Sequence, residues 1–245
     1  MRILVTGGAG FIGSHIVEHF HRQNEVRVLD NLRSGYQKNL DPFNVKFING
    51  SVMDTDILNQ AMKGVDCVFH LAAMISVPES MHKPVECVNI NTIGTLNVLE
   101  AAAQAGVKKL CLSSSAAIYG DNPSVPKLES MFPEPKSPYA ETKLSGEYYC
   151  GIYTKERGLP TACLRYFNVF GPRQDPASQY AAAIPIFISR AVRNQPITIF
   201  GDGEQTRDFI FVKDIVAANA FFATQSDCTG VFNVAYGGRI TINEL

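Results

Sequence analysis

The sequence of 245 residues contains no tryptophan, and only 18% of its side chains are charged. It also lacks Cys-x-x-Cys pairs, so its six cysteines have the spacing of neither a zinc site nor a disulfide framework. No apolar run approaches the roughly 18 residues that a membrane helix needs, and the N-terminal apolar stretch is too short for a signal peptide. We therefore expect a cytoplasmic protein with reduced thiols, no metal site and no membrane partner.

Charge of one sign does not accumulate anywhere in the sequence. The 22 basic side chains are scattered and nearly balanced by 23 acidic ones, which gives a formal net charge of −1. Such a chain offers no basic surface for a nucleic acid, so we expect no nucleic-acid partner. The hydrophobic share of 46% and the length instead indicate one large globular domain or a domain and a half.

Short apolar runs alternate with stretches of helical periodicity over the first 115 residues. Strands are predicted at residues 3–6, 26–30, 45–48, 67–71 and 109–113, and helices at residues 10–22, 54–62 and 85–104. After a proline-rich passage at 120–138, the pattern predicts a helix at 139–157 and a strand at 161–166. Short β-branched strands separated by helices are typical of a parallel sheet covered on both faces. The predicted class is therefore α/β, a doubly wound parallel sheet of the Rossmann type.

The periodic pattern weakens after residue 171. Helices are predicted at residues 181–192 and 215–223, and strands at residues 197–200, 209–212 and 231–234. This change divides the chain into residues 1–170, the doubly wound domain, and residues 171–245, a smaller appended region. Thr241 and Glu244 form a capping-box pattern that announces a helix just before the last residue, so we expect the chain to be part of a longer protein.

A glycine-rich loop follows the first predicted strand and opens the first predicted helix. Gly7, Gly10 and Gly13 permit a tight turn in which backbone N–H groups approach a pyrophosphate. Asp30 lies twenty residues after Gly10, where a carboxylate accepts hydrogen bonds from ribose hydroxyls and repels a 2′-phosphate. The pattern predicts binding of NAD in preference to NADP, although Arg33 lies close enough to weaken that preference.

Tyr139 and Lys143 form a Tyr-x-x-x-Lys pattern at the start of a predicted helix. Residues four apart share one face of a helix, so the phenol and the ammonium group lie side by side. A tyrosine pKa near 10 is too high for a base at neutral pH, and we expect the lysine cation and a positive nicotinamide to lower it. A packed tyrosine over a solvated lysine gives the same spacing, but the serines from Ser113 to Ser115, which end a predicted parallel strand, favour a catalytic site.

The sequence resembles the extended short-chain dehydrogenase/reductase family, and within it the nucleotide-sugar 4-epimerases, over the whole chain. The likeness is strongest to UDP-glucose and UDP-N-acetylglucosamine 4-epimerases. Besides the motifs above, the matching runs are His70-Leu71-Ala72-Ala73, Asn91, Arg165-Tyr166-Phe167-Asn168-Val169-Phe170-Gly171-Pro172-Arg173 and residues 201–208. The resemblance implies that residues 1–170 bind NAD and that residues 171–245 form part of a nucleotide-sugar-binding region.

The resemblance also implies a mechanism for the serine, tyrosine and lysine. Tyr139, as phenolate, would remove the proton of the sugar 4-hydroxyl while a hydride leaves C4 for bound NAD. Ser115 would hydrogen-bond the reacting oxygen, and Lys143 would hold the nicotinamide ribose and tune the tyrosine. A 4-keto sugar would turn over in the pocket and take the hydride back on its other face, so that NAD is regenerated.

The same resemblance implies further contacts to the cofactor. The implied residues are Phe11, Ile12, Asn31, Ser34, Gly35, Ser51, Val52, Leu71, Ala72, Ala73, Asn91, Ser113 and Phe167. Ser51 departs from the family, which usually has an acidic residue there for the adenine amino group. Weaker adenine binding, a water molecule or replacement by the nearby Asp54 would each accommodate that departure.

For the diphosphate of a nucleotide sugar, the resemblance points to Asn168 and Arg207. A guanidinium suits a diphosphate because it makes paired hydrogen bonds. The alternative for Arg207 is an ion pair with Asp202 or Asp208. The reacting end of the sugar would meet the predicted serine and tyrosine instead.

The resemblance also suggests where the uracil and a second subunit would bind. Thr198 and Phe200, on the predicted strand 197–200, would flank the uracil. Family members pair through helices like those predicted at 85–104 and 139–157, so we expect a homodimer. Packing of those helices against the sheet would explain the same apolar faces.

The sequence also bears on the functions that compete with 4-epimerisation. Sugar-nucleotide dehydratases and decarboxylases place acidic residues directly after the serine or threonine, whereas this chain has Ala116 and Ala117, which transfer no proton. UDP-glucuronate 4-epimerase stays open because it needs no extra acid. A non-catalytic NAD-binding module would not require the serine, the tyrosine and the lysine together.

His15 and His19 complete a metalloprotease-like pattern that we expect to be a solvated helix face.

Overall fold

The computed structural model describes residues 1–176 and 183–245, so the first two residues of the predicted helix 181–192 lie outside it. The strands are β1 (Arg2–Thr6), β2 (Glu25–Asp30), β3 (Lys46–Asn49), β4 (Cys67–His70), β5 (Lys109–Ser115), β6 (Thr161–Tyr166), β7 (Asn168–Phe170), β8 (Thr206–Arg207), β9 (Phe209–Phe211), β10 (Gly230–Val234) and β11 (Ile240–Thr241). The helices are α1 (Phe11–Phe20), α2 (Thr55–Met62), α3 (Val77–His82), α4 (Pro84–Val88), α5 (Gly94–Gln104), α6 (Pro138–Arg157), α7 (Ala183–Val192) and α8 (Val212–Thr224).

The central sheet has seven parallel strands in the described part of the chain, in the order β10-β6-β5-β4-β1-β2-β3. From β1 the chain first moves outward through β2 and β3, and it then returns to β4 on the other side. Doubly wound sheets bind ligands outside the carboxyl ends of the strands at such a reversal of order. The predicted doubly wound parallel sheet is therefore confirmed, and its crevice lies above β1 and β4.

Both faces of the sheet are covered, which explains the continuous apolar character of its inner strands. One apolar layer packs beneath α1 and α8 and includes Ile16, Phe69 and Ile215. The other packs beneath α2, α5 and α6 and includes Leu58 and Leu99. Parallel strands in this position are buried on both sides, so they lack the alternation of a half-exposed strand. The six cysteines are free thiols; five of them are buried and one is half-buried.

The long helix predicted at 85–104 is interrupted. It consists of α4, a wide π-type turn at Asn89–Ile93 and then α5, and a further short helix, α3, precedes it. The buried Asn91 side chain accepts a hydrogen bond from the Met74 N–H at 2.7 Å and donates to Thr142 Oγ1 at 3.0 Å. These contacts join the wide turn to the segment after β4 and to α6. Helical periodicity does not predict this π-type turn, because the spacing of apolar residues is the same on both sides of it.

Residues after 171 contribute to more than one part of the fold. Strand β10 pairs with β6 in the central sheet, whereas β7 pairs with β9, and β8 pairs with β11, in two small separate sheets. The division at residue 170 stays a prediction. The expected strand at 197–200 is wrong, because these residues pair with no strand in the described structure.

The capping box is confirmed: the Glu244 N–H donates to Thr241 Oγ1 at 3.1 Å, and the Thr241 N–H donates to Glu244 Oε2 at 2.8 Å.

No helix within residues 1–176 and 183–245 combines the length and the apolar character that crossing a membrane requires.

Candidate active site

The glycine-rich loop between β1 and α1, and the first turn of α1, pack too closely for a side chain at Gly7 or at Gly13. Gly7 has a φ of +72°, and a Cβ there would lie 2.7 Å from the backbone nitrogen of Ala72. A Cβ on Gly13 would lie 2.3 Å from the Gly7 carbonyl oxygen. Gly10, the residue before α1, has no capping side chain, so the first N–H groups of the helix remain for a ligand. The loop therefore has the shape and polarity of a pyrophosphate cradle.

A cavity of about 570 Å³ lies above this loop, at the carboxyl ends of β1, β2, β4 and β5. It is lined by all but four of the residues predicted to contact the cofactor. Those that line it are Gly7, Gly10, Phe11, Ile12, Gly13, Asp30, Asn31, Ser34, Gly35, Ser51, Val52, Leu71, Ala72, Ala73 and Ser113. The four outside the lining are Asn91, Tyr139, Lys143 and Phe167.

Asp30 ends β2 and is nearly buried at the edge of the cavity. Its carboxylate accepts hydrogen bonds from the Ala9 N–H at 2.9 Å and from the Leu32 N–H at 2.8 Å. Burial raises the pKa of Asp30, while the hydrogen bonds from Leu32 and Ala9 oppose that effect. The carboxylate is thus fixed between the glycine-rich loop and the turn after β2, where a ribose hydroxyl would approach it.

Ser51 stands where the family usually has an acidic residue, and the structure shows which nearby polar groups face the cavity. Its hydroxyl lies at the cavity and accepts a hydrogen bond from the Met53 N–H at 3.1 Å. Asp54 instead caps α2, where its carboxylate accepts a hydrogen bond from the Ile57 N–H at 3.0 Å, and it does not line the cavity. The structure therefore favours Ser51 over Asp54 at this position, since Ser51 lines the cavity and Asp54 caps a helix outside its lining.

Ser115, Tyr139 and Lys143 meet where the end of β5 faces the first turns of α6. Ser137 caps α6 and Pro138 follows it, so the helix begins directly before the tyrosine. The Ser115 hydroxyl hydrogen-bonds the Tyr139 phenol. Lys143 Nζ donates to the Ser113 carbonyl oxygen at 2.7 Å and lies 5.8 Å from the centre of the tyrosine ring. The structure thus brings together the three residues predicted to be catalytic.

The pKa values of Tyr139 and Lys143 differ from the expectation that the lysine lowers the pKa of the tyrosine. Burial raises the pKa of Tyr139, and the hydrogen bond to Ser115 opposes that effect. Burial lowers the pKa of Lys143 to about 8, against the effects of Cys87 and Glu147. The expected lowering of the tyrosine pKa by Lys143 is therefore wrong for the protein's own groups, since the ammonium bonds a carbonyl oxygen instead of the phenol. A positive nicotinamide is the cation that remains in the predicted mechanism.

Two buried polar residues near the cluster are already engaged within the protein. His70 bonds Thr6 Oγ1 at 2.7 Å and Thr95 Oγ1 at 3.0 Å. Burial lowers the pKa of His70 to about 3, and the Lys143 charge acts in the same direction. Asn91 uses both ends of its amide on Met74 and Thr142 and so joins the wide turn to the start of α6; its contact with the cofactor stays a prediction.

The residues predicted to bind the nucleotide sugar lie outside the cavity, on less regular structure. Asn168 begins β7 and donates from Nδ2 to the Asp208 carbonyl oxygen at 2.9 Å. Arg207 is exposed and donates to the Thr206 carbonyl oxygen at 2.8 Å, and none of the ion pairs found among the described residues includes it. Thr198 accepts a hydrogen bond from Arg190 at 3.1 Å, and Phe200 is 81% exposed.

The histidine pattern on α1 is only partly a solvated face, as expected for His19 but not for His15. His15 is buried, and its Nε2 lies 2.9 Å from the Pro172 carbonyl oxygen. Arg173 bonds both His15 and Glu18, so the pattern holds the segment after Gly171 against α1. In the described part of the chain, no three His, Cys, Asp or Glu side chains are grouped as a metal ion would need.

The comparisons with known proteins agree with this geometry. The sequence pattern of the NAD dependent epimerase/dehydratase family matches residues 3–235. The chain belongs to this family. A solved UDP-N-acetylglucosamine 4-epimerase from Methanobrevibacter ruminantium M1, in complex with UDP-N-acetylmuramic acid, is 46% identical with a TM-score of 0.95, over 99% of this chain and 78% of that one.

Two further structures of family members show the same likeness. A UDP-glucose 4-epimerase from Thermotoga maritima with UDP-glucose is 42% identical, with a TM-score of 0.95 over all of this chain and 80% of that one. A UDP-glucose 4-epimerase from Thermus thermophilus in complex with NAD is 40% identical, with a TM-score of 0.91 over all of this chain and 80% of that one.

For this epimerase/dehydratase family member, sequence reasoning missed part of the cavity wall. The residues missed are Leu29, Tyr36, Asn39, Gly50, Ile75, Ile90, Arg173, Gln174 and Asp175, and Arg33 was noticed only as a neighbour of Asp30. The Tyr36 hydroxyl donates to Asp175 Oδ2 at 2.6 Å, which joins the turn after β2 to a segment 139 residues later. No local pattern predicts such a contact; the glycine-proline turn at Gly171 was the available signal that the chain bends back there.

Proposed function

We propose that this protein is an NAD-dependent UDP-hexose 4-epimerase that acts on UDP-glucose or on its N-acetyl form. The observation that carries the proposal is the meeting of Ser115, Tyr139 and Lys143 at the carboxyl edge of the sheet, beside the glycine-lined cavity. Membership of the epimerase/dehydratase family supports it, as do the UDP-sugars and NAD in the related structures.

The cavity fits NAD by its shape and by its donors. The tight loop at Gly7 and Gly13 leaves backbone close to the cavity, which suits a pyrophosphate, and Asp30 would accept hydrogen bonds from the adenosine ribose. Ser113 lies at the end of the cavity nearest to Tyr139 and would meet the nicotinamide half. When bound, NAD supplies hydride acceptance and hydride return at the sugar C4.

The protein's own residues would handle the proton. Tyr139 Oη takes the proton of the 4-hydroxyl as the C4–O4 bond becomes a carbonyl, and it returns that proton when the carbonyl is reduced on the other face. The Ser115 hydroxyl donates to the reacting oxygen. With a pKa lowered by burial to about 8, Lys143 is still mainly protonated at pH 7 and would hold the nicotinamide ribose, while the positive nicotinamide is the cation that would favour phenolate over phenol.

The segment after β6 would hold the nucleotide sugar. Arg207 is the proposed diphosphate contact, because its exposed guanidinium has bonding capacity left beyond the Thr206 carbonyl oxygen. Asn168, a second proposed contact, begins β7, one residue after the end of β6. Thr198 and Phe200 remain the proposed contacts for the uracil.

The residues after Ser115 argue for epimerisation over dehydration. A 3₁₀ turn, Ala116–Tyr119, begins directly after the serine, and its first two residues are alanines. Elimination of water from the sugar needs an acid and a base beside the hydride site, and these methyl groups supply neither. A UDP-glucuronate 4-epimerase needs no such groups, so it is included in the test below.

The experiment is an NMR assay of the purified protein with NAD and, in separate samples, UDP-glucose, UDP-N-acetylglucosamine and UDP-glucuronate. We expect the anomeric signals of UDP-glucose or its N-acetyl form to convert to those of the C4 epimer. Conversion of UDP-glucuronate alone would reassign the substrate. A 4-keto-6-deoxy product, or bound NAD with no conversion of any sugar, would contradict the proposal.

We also propose that the protein is a cytoplasmic homodimer. The six free thiols suit a reducing compartment. Large apolar side chains are exposed on three neighbouring helices: Met81 on α3, Val85 on α4, and Tyr148 and Ile152 on α6. Exposed apolar side chains on neighbouring helices support association. Light scattering is expected to give twice the chain mass for the wild type and a lower mass for Ile152→Asp; a monomeric wild type would contradict the dimer.

A further inference from the structure

Four charged side chains form a compact cluster at the adenosine end of the cofactor cavity. Arg33 NH2 lies 2.8 Å from Glu79 Oε1, and Arg33 NH1 bonds Glu86 Oε1. Lys83 Nζ lies 3.6 Å from Glu79 Oε1 and 3.7 Å from Glu86 Oε2. The cluster therefore pairs two cations with two anions. It links the turn after β2 to helices α3 and α4.

Arg33 also lies where an arginine could bind the 2′-phosphate of NADP. It lies three residues after Asp30, lines the cavity, and its N–H is fixed by a hydrogen bond to Asn31 Oδ1 at 3.1 Å. In dinucleotide-binding folds, an arginine near the acidic residue at the end of the second strand accommodates the 2′-phosphate of NADP. The sequence therefore predicts NAD, but with a preference that Arg33 could weaken, because Asp30 and Arg33 favour opposite cofactors.

The geometry of the cluster removes that ambiguity. Each terminal nitrogen of the guanidinium bonds a different carboxylate. The hydrogen bond to Glu86 raises the pKa of Arg33, and burial opposes it only in part. A 2′-phosphate carries close to two negative charges, so it would have to displace both carboxylates and lie beside Asp30 as well. A ribose 2′-hydroxyl meets no such repulsion.

We propose that Glu79 and Glu86 are specificity-determining residues, which hold Arg33 in ion pairs and so deny a cation to the 2′-phosphate of NADP. The inference rests on the proposed use of NAD and deepens it. Asp30 would recognise the ribose hydroxyls, while the two glutamates would prevent Arg33 from binding the 2′-phosphate of NADP. Replacing both glutamates changes the formal charge of the cluster from zero to +2 and frees the guanidinium.

The test measures binding, with probes that lack the nicotinamide. Calorimetry on the nucleotide-free protein gives dissociation constants for ADP-ribose and for 2′-phospho-ADP-ribose. In Glu79→Gln/Glu86→Gln, we expect the affinity for the phosphorylated probe to rise about tenfold or more relative to ADP-ribose, as for a new charge-assisted hydrogen bond. Adding Arg33→Gln is expected to abolish the gain. Glu86→Gln alone is expected to give a smaller change in the same direction.

The matched control is Glu25→Gln/Glu100→Gln. These acids also pair with arginines, Arg27 and Arg157, but neither arginine lines the cavity, whereas Arg33 does. The control is expected to leave the ratio of the two affinities unchanged. An unchanged ratio in the cluster variant, or a gain that survives Arg33→Gln, would overturn the inference. A wild-type protein that binds neither probe would contradict the proposed use of NAD itself.

Discussion

The inner strands of the central sheet and the strands of the two small sheets differ in how completely they are buried. Every residue of β4 and of β6 is buried, whereas β7 and β8 contain no buried residue and β9 contains one. The first group lies between two helical layers, and the second forms two-stranded sheets near the surface. A strand pattern is thus a good guide where neighbours on both faces require apolar side chains, and a poor one elsewhere.

Two phenylalanines make the comparison quantitative. Phe69 on β4 is completely buried, and Phe200, in the segment predicted wrongly as a strand, is 81% exposed. Phe69→Ala is expected to lower the free energy of unfolding by about 3–5 kcal/mol, because it removes a large side chain and leaves a cavity. Phe200→Ala is expected to change it by less than about 0.5 kcal/mol. Urea unfolding measures both, and similar losses for the two variants would contradict the contrast.

The same contrast explains what could be predicted from the sequence. All six strands expected before residue 167 are present. The inner ones are apolar because they lie between two helical layers, whereas the edge strand β3 contains no buried residue. The glycine-rich loop, Asp30 and the Tyr139–Lys143 pair were predictable because each depends on a short, fixed spacing. By contrast, the wide turn at Asn89–Ile93 depends on contacts with Met74 and Thr142, which are distant in sequence.

Long-range contacts also account for the missed cavity wall. Asp175 reaches the cavity through Tyr36, and Arg173 lies against α1 through His15 and Glu18. Neither contact leaves a periodic signal, because the partners are separated by more than 100 residues. The strand expected at 197–200 is wrong for the opposite reason. The segment is a short, mostly apolar run, but no neighbouring strand of the described structure pairs with it.

Tyr139 tests whether the chemistry lies in the well-buried part of the molecule. Tyr139→Phe removes the proton acceptor and leaves the ring, so kcat is expected to fall by at least ~10² while the stability and bound NAD are retained. Tyr148→Phe is the matched control, since Tyr148 is exposed on the same helix, and it is expected to keep near-normal turnover. The NMR assay with a UDP-hexose measures both variants; near-normal turnover of Tyr139→Phe would contradict the assignment.

His70 predicts how this buried part responds to acid. Its folded-state pKa is about 3, below the usual value of 6.5, so between these values the unfolded state binds one more proton. Stability is therefore lost as the pH falls through this range, by up to about 1.4 kcal/mol per pH unit from this residue. Urea unfolding between pH 6.5 and 4.5 is expected to show a shallower decline for His70→Gln. The exposed His82→Gln is expected to follow the wild type; a wild-type slope in His70→Gln would contradict the prediction.

Arg207 tests the other side of the comparison, where structure is sparse and exposed. Because its side chain packs against little, Arg207→Ala is expected to leave stability unchanged and to raise KM for the UDP-hexose about tenfold, the effect of losing one charge-assisted hydrogen bond. Arg239 is the matched control: it is exposed and bonds the hydroxyl of the same Thr206 whose carbonyl Arg207 bonds. Arg239→Ala is expected to change KM little. Equal effects of the two variants would mean that this surface attracts the diphosphate by overall charge, and that the function of the exposed region does not depend on one positioned guanidinium.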